Sequence, residues 1–197
     1  MSRSNRRSFI QQALASSFVL SKKRGQVQQS DPAGLPTDLL QALGRAVLPS
    51  KALGPVETDR VIDDFSAWLA GYQPVAEMNH GYMTGRIRYS PEHPQPRWAS
   101  QLEALEIEAQ KRFHVPFTEL DQVRRRELVE KQIGSDRIGR LPRAASARHV
   151  AVGLLAYFYA TPAATDLAYR AEISRHACRP LAQASRRPRS LEDGQKE

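Results

Sequence analysis

Apolar residues along this chain recur mostly at intervals of three and four, the period of a helix with one buried face. Leu39, Leu40, Leu43, Ala46 and Val47 form the first such face, with Thr37 placed to cap it and Pro49 just past its end. After Gly54-Pro55, a second face runs through Val61, Phe65, Trp68, Leu69 and Tyr72. Trp98, Leu102, Leu105, Ala109 and Phe113 line a third, where Ser100 and Glu103 have the spacing of a capping box. Pro116 breaks it, and Leu120, Val123, Leu128 and Ile133 are the inward candidates of a shorter helix. Residues 146–160 are apolar nearly all round (Val150, Val152, Leu154, Leu155, Tyr157, Phe158, Tyr159), which predicts a central helix or one shared with a partner. Thr161-Pro162 ends it, and Pro162 also suits the first turn of a last helix offering Leu167, Ala168 and Ile173 for packing. The pattern predicts an all-α bundle of five to six helices.

Residues 73–97 interrupt this periodicity. They hold four prolines (Pro74, Pro91, Pro94, Pro96) with Gly81 and Gly85, and predict a long irregular loop that serves as an exposed arm or a partner-facing segment. Within it, Arg86-Ile87-Arg88-Tyr89 alternates like a strand fragment. A polar linker covers 25–36, and the residues from Arg186 on read as a flexible polar tail. The expected division is a signal segment with linker (1–30), a helical domain (31–185) and the tail (186–197).

The chain has 197 residues and a formal charge of +8, from 29 Lys and Arg against 21 Asp and Glu. That excess suggests a nucleic-acid footprint until it is located. Residues 1–24 carry Arg3, Arg6, Arg7, Lys22, Lys23 and Arg24 and no acid, so the remaining chain is nearly balanced. A nucleic-acid binder needs its excess on the folded body, where it meets phosphates. Here the charge marks a targeting segment. Arg6-Arg7, one spacer, then Phe9-Ile10 and a weakly apolar stretch to Leu20 resemble the signal of the twin-arginine translocation pathway. The basic group Lys22-Lys23-Arg24 departs from the usual form of such signals, and no Ala-x-Ala cleavage site follows. The expected location is the periplasm. Twin-arginine cargo crosses already folded, so a cofactor inserted beforehand or a bound partner is implied. No run of about 18 apolar residues exists, so no membrane-spanning helix is expected.

The residues offer little catalytic chemistry. There is no G-x-S-x-G elbow, no G-x-G-x-x-G and no phosphate loop. Glu103, Glu106 and Glu108 read as a solvated charged face, and Arg124-Arg125-Arg126, surrounded by Glu119, Asp121, Glu127 and Glu130, as a mixed-charge helix surface. His80 and His93 lack a third metal ligand at fixed spacing. His149 reads as a packed or interface histidine. Cys178 is the lone cysteine, beside Arg175, His176 and Arg179. In an oxidising compartment it is a candidate for a disulfide to another subunit, with a buried free thiol as the other reading and a catalytic thiol a third. The aromatic group Tyr157, Phe158, Tyr159 and Tyr169 suits core packing or a protein interface.

Tyr157-Phe158-Tyr159-Ala160-Thr161-Pro162, followed by Asp166-Leu167-Ala168-Tyr169-Arg170 and Cys178-Arg179, resembles the end of the gluconate 2-dehydrogenase subunit 3 family. Phe113-x-x-Pro116-Phe117-Thr118-Glu119-Leu120 is similar to that family's middle element, and Leu39 to Pro49 to its opening helix. The resemblance spans roughly residues 35–182, but the loop at 79–97 has no counterpart in it. It implies a small, non-catalytic subunit of a membrane-associated sugar or sugar-acid dehydrogenase. This chain would hold no cofactor. FAD would sit in a large subunit of the glucose–methanol–choline oxidoreductase type and haem in a multihaem cytochrome c subunit. The small subunit would supply the signal (Arg6, Arg7, Phe9, Ile10) to the twin-arginine translocase. It would meet its partner through Tyr157, Phe158, Tyr169, Arg170, Cys178 and Arg179. The rival readings are a stand-alone small periplasmic enzyme, an unrelated exported scaffold and a cytoplasmic helical nucleic-acid binder.

Overall fold

Leu39, Leu40, Leu43 and Ala46 are buried on one side of the first helix, α1 (Thr37–Val47), as their spacing requires. The computed structural model describes residues 34–78, 87–134, 139–171, 173, 186, 187 and 190. Thr37 is the first residue inside α1 and not its cap, because Pro36 takes the flanking position without a side-chain bond. Pro49 then starts a single helical turn, α2 (Ser50–Leu53), too short for any periodicity to announce. Gly54, at φ 78°, reverses the chain into α3 (Pro55–Ala70), and Thr58 Oγ1 donates to its carbonyl at 2.6 Å. Pro55 fills the first helical position, where a missing N–H costs nothing.

α4 (Gln95–Phe113) begins three residues before Trp98, which corrects the expected capping box. Ser100 lies inside the helix and its hydroxyl donates to Pro96 O at 3.1 Å. His114 closes α4 in the left-handed region, and Pro116 leads into a short 3₁₀ turn at Phe117–Glu119. Glu106, expected on the solvated face, is half-buried and accepts from the Phe117 N–H at 2.9 Å. α5 (Gln122–Ile133) is capped by Asp121, which accepts from Arg124 N at 2.9 Å. Val123 is 77% exposed rather than inward, and Leu128 and Val129 carry the burial of α5. A second 3₁₀ turn (Ala144–Ser146) precedes α6 (Val150–Tyr159), and α7 is Pro162–Tyr169.

The bundle is all-α, with seven α-helices among the described residues against the five to six expected, the single turn α2 being the one that no periodicity announces. α6 is central as its composition requires, packing on α1, α3, α4 and α7. Its core partners Phe65, Trp98 and Leu102 are fully buried, as is its own Leu154. The closest approach falls at Gly153. A Cβ there would lie 2.6 Å from Trp98 Cζ2, so the indole rests directly on the helix backbone. On α7 the packing is thinner than expected: Leu167 is half-buried, Ala168 is exposed and Ile173 lies beyond the helix end.

Residues 73–97 are not a free arm. Residues 94–97 belong to the start of α4, its Pro94 cap included, and the described stretches 73–78 and 87–93 lie against each other. Val75 N donates to Ser90 O (3.2 Å), Met78 N to Arg88 O (2.8 Å) and Ser90 N to Ala76 O (2.8 Å), so 75–78 pairs antiparallel with 88–90. The strand fragment foreseen at 86–89 is part of this pair, although Arg86 and the other residues of 79–86 lie outside the described residues. Tyr72 Oη donates to Pro91 O at 2.8 Å and Ser90 Oγ to Gln73 O at 2.8 Å, which ties the excursion to the end of α3. No single helix among the described residues is long and apolar enough to cross a membrane; α6 and α7 taken together reach that length and composition but are bent by 70°.

Candidate partner-binding groove

Four separated stretches enclose an apolar groove of about 930 Å³: the end of α3, the 75–91 excursion, the loop and 3₁₀ turn at 141–146, and the α6–α7 corner. The corner is built by Thr161. Its hydroxyl donates to Phe158 O at 2.7 Å, closing α6, and accepts from Ala164 N at 3.4 Å, capping α7. Pro162 then occupies the first position of α7 and lines the groove. Only a small polar side chain followed by proline performs both tasks in two residues.

The floor is aromatic. Trp68 stacks on Phe65 (5.6 Å between centroids) and meets Tyr72 (5.7 Å) and Tyr157 (5.5 Å). Tyr157 also meets Phe65 edge-on at 5.5 Å, and His93 sits edge-on to Tyr72 at 5.5 Å. Tyr157 is half-buried, and burial, aided by the negative charge of Asp64, pushes its phenol above the usual range. Tyr89 (56% exposed), Leu141 and Met78 form the rim, with the two guanidinium groups of Arg88 and Arg143. Among the described residues no carboxylate lines the groove. At its edge Val75 takes φ 58°, a backbone region that β-branched residues rarely adopt.

The expected interface residues separate in the structure. Tyr157 lines the groove, whereas Phe158 is fully buried and serves the core, which corrects its expected place at a surface. Neighbouring helical residues point about 100° apart, so the two rings cannot share one face. Tyr169 is 70% exposed at the end of α7, and Arg170 follows it in the left-handed region at φ 51°. They do not line the groove. Arg6, Arg7, Phe9, Ile10, Cys178 and Arg179 lie outside the described residues, as do His80, Arg175 and His176. Pattern reading missed Trp68, Tyr72, Tyr89, Leu141 and Arg143 as one surface, because only tertiary folding brings them together.

A second pocket of about 530 Å³ opens beside His149. His149 is buried and caps α6: Nδ1 accepts from Ala151 N at 3.1 Å, and Nε2 faces Gln132 Oε1 at 2.8 Å. Only the neutral tautomer protonated at Nε2 serves both bonds. Gln132 Nε2 donates to Gln101 O (3.1 Å), and Gln101 Oε1 accepts from Val150 N (2.9 Å), so three helices meet in one saturated network. Burial holds the imidazole pKa down to about 4. Both ring nitrogens are occupied by structural bonds, an arrangement that suits the packed-histidine reading and leaves no free lone pair for a base.

The arginine run Arg124-Arg125-Arg126 is also occupied. Arg124 pairs with Asp121 (3.3 Å) and covers the Phe113 ring, Arg125 donates to Phe117 O and Thr118 O, and Arg126 Nε donates to Ala46 O at 2.7 Å. Among the described residues no three His, Cys, Asp or Glu side chains cluster as metal ligands would. No protein-family model, curated protein or solved structure matches the chain.

Proposed function

We propose that this chain is the non-catalytic small subunit of a periplasmic, membrane-associated, FAD-dependent sugar or sugar-acid dehydrogenase, of the kind to which the gluconate 2-dehydrogenase subunit 3 family belongs. It supplies the twin-arginine signal, binds the folded flavin-bearing subunit before export and stays on it as a stabilising subunit. A multihaem cytochrome c subunit takes the electrons onward. The observation that carries this reading is a pairing within one chain. An acid-free segment with Arg6-Arg7-x-Phe9-Ile10 precedes a helical body ending in the Tyr157–Pro162 and Tyr169-Arg170 motifs. An aromatic groove beside that C-terminal motif supports it, since interface cores favour tyrosine, tryptophan and arginine. Binding of a partner to the folded form stabilises both by mass action.

Affinity capture of the tagged full chain from its native host tests this. The expected product contains a second, larger polypeptide with bound flavin, visible by its absorbance and released by acid. Recovery of the chain alone, or with companions that carry no flavin, contradicts the proposal.

A further inference from the structure

The groove has a chemistry that restricts what enters it. Its floor is apolar and aromatic, and among the described residues the charged ones that line it are Arg88 and Arg143. Neither guanidinium has a carboxylate partner among the described residues; Arg143 Nη1 reaches only the thioether of Met78, at 3.5 Å. A thioether is a weak acceptor, so this contact ties the excursion to the 141–146 loop and leaves the charge uncompensated. Elsewhere on the surface arginines do find acids, as Arg45 with Asp59 (2.9 Å) and Arg112 with Glu127 (2.6 Å) do. The rim therefore presents two unneutralised cations flanking an aromatic floor.

The excursion adds a backbone feature. Its antiparallel pair uses the main chain of Ala76, Met78, Arg88 and Ser90, with Glu77 opposite Tyr89 as the non-hydrogen-bonded pair. In such a pair the N–H and C=O of Tyr89 point away from the 75–78 strand, and no described residue bonds them, which leaves an open edge among the described residues. An extended segment laid along an open edge gains main-chain bonds, and alternate side chains enter neighbouring pockets.

From these observations we infer that the groove receives an extended segment of the companion subunit in which apolar side chains alternate with carboxylates. The apolar side chains fill the floor over Trp68, Tyr72 and Tyr157, and the carboxylates pair with Arg88 and Arg143. This rests on the companion reading above and names the surface and the chemistry through which it works. It also gives a role to the loop that has no counterpart in the family resemblance.

The test uses the full chain and the companion captured with it. Arg88→Glu combined with Arg143→Glu is compared with Lys51→Glu combined with Arg60→Glu, an equal charge change on exposed residues outside the groove. All four side chains are exposed, and unchanged circular dichroism and melting establish that both variants fold. The groove pair is expected to weaken companion binding about tenfold or more and to flatten its salt dependence, with the control pair within about twofold of the parent. In parallel, a photo-crosslinker at Tyr89 is expected to label one companion peptide rich in Asp or Glu and apolar residues. Equal affinities for the two pairs, or a label on a lipid, a quinone or a basic peptide, overturns the groove assignment while leaving a flavin-bearing companion in hand. Absence of any flavin-bearing companion overturns the proposed function itself.

Discussion

Replacing Trp98 by alanine is expected to destabilise the fold by about 3–5 kcal/mol, the range for removing a large buried aromatic. The indole is fully buried and lies 5.6 Å from Phe65 in a stacked arrangement. It also rests on Gly153 of the central helix, while Nε1 donates to Ala147 O at 3.3 Å. That carbonyl keeps a second donor, Arg97 Nη2 at 2.8 Å, so the loss comes from the cavity and not from an orphaned acceptor. Since a domain of this size is stable by roughly 5–15 kcal/mol, the variant sits near the edge of folding. Gly153→Ala sharpens the prediction. With Trp98 present the new methyl must displace a rigid ring, costing about 1–3 kcal/mol against a helix-propensity gain of about 1 kcal/mol. In a Trp98→Ala background the clash is gone and the same change becomes stabilising. Urea unfolding of the four chains of this cycle measures the coupling, and additive effects would contradict the contact.

Acid is expected to remove up to about 3 kcal/mol of stability through His149 alone. The folded protein holds this ring neutral with a pKa of about 4, against an ordinary value of 6.5. Between those values the unfolded chain binds a proton that the folded one does not, so stability rises with pH across the window. The contribution is complete above about pH 6.5 and is lost as the pH falls towards 4. Protonating Nδ1 would set it against the Ala151 N–H it now accepts from and break the cap of α6. Arg140 and Arg148 line the same pocket, and their charge opposes a further cation there. The measurement is the pH dependence of urea unfolding for the parent and for His149→Gln, each over that window. The parent is expected to show the steeper loss; parallel curves would contradict the assignment.

What the sequence made legible follows physical lines. α6 was readable because a helix apolar on all sides has no stable place but the centre. The Val61, Phe65 and Leu69 stripe was readable because burial on one face enforces helical spacing. Val123 was misread because it sits in the first turn of α5, where nothing covers it, and a single apolar position does not reveal whether a neighbour exists. α2 was missed because four residues hold barely one turn. Of the groove, Tyr157 is the one residue named in advance for the interface, although the 73–97 stretch that supplies Met78, Arg88 and Tyr89 is expected as an exposed arm or a partner-facing segment. Trp68, Tyr89, Leu141 and Pro162 come from four stretches of chain whose convergence no local pattern encodes. The same holds for Trp98 on Gly153, a contact fixed by helix register rather than by either residue's neighbours in sequence. Phe158 was assigned to the same surface as Tyr157 although helical geometry separates adjacent side chains by about 100°.

Whether this chain carries a redox partner across the membrane is tested most directly by Arg6→Lys combined with Arg7→Lys in the native host. Both substitutions keep the charge and change only the guanidinium pair. Dye-linked dehydrogenase activity and the flavin-bearing polypeptide are then measured in cytoplasmic and periplasmic fractions. The expected result is that both stay in the cytoplasm with this chain. Periplasmic activity at the parental level would contradict the escort role.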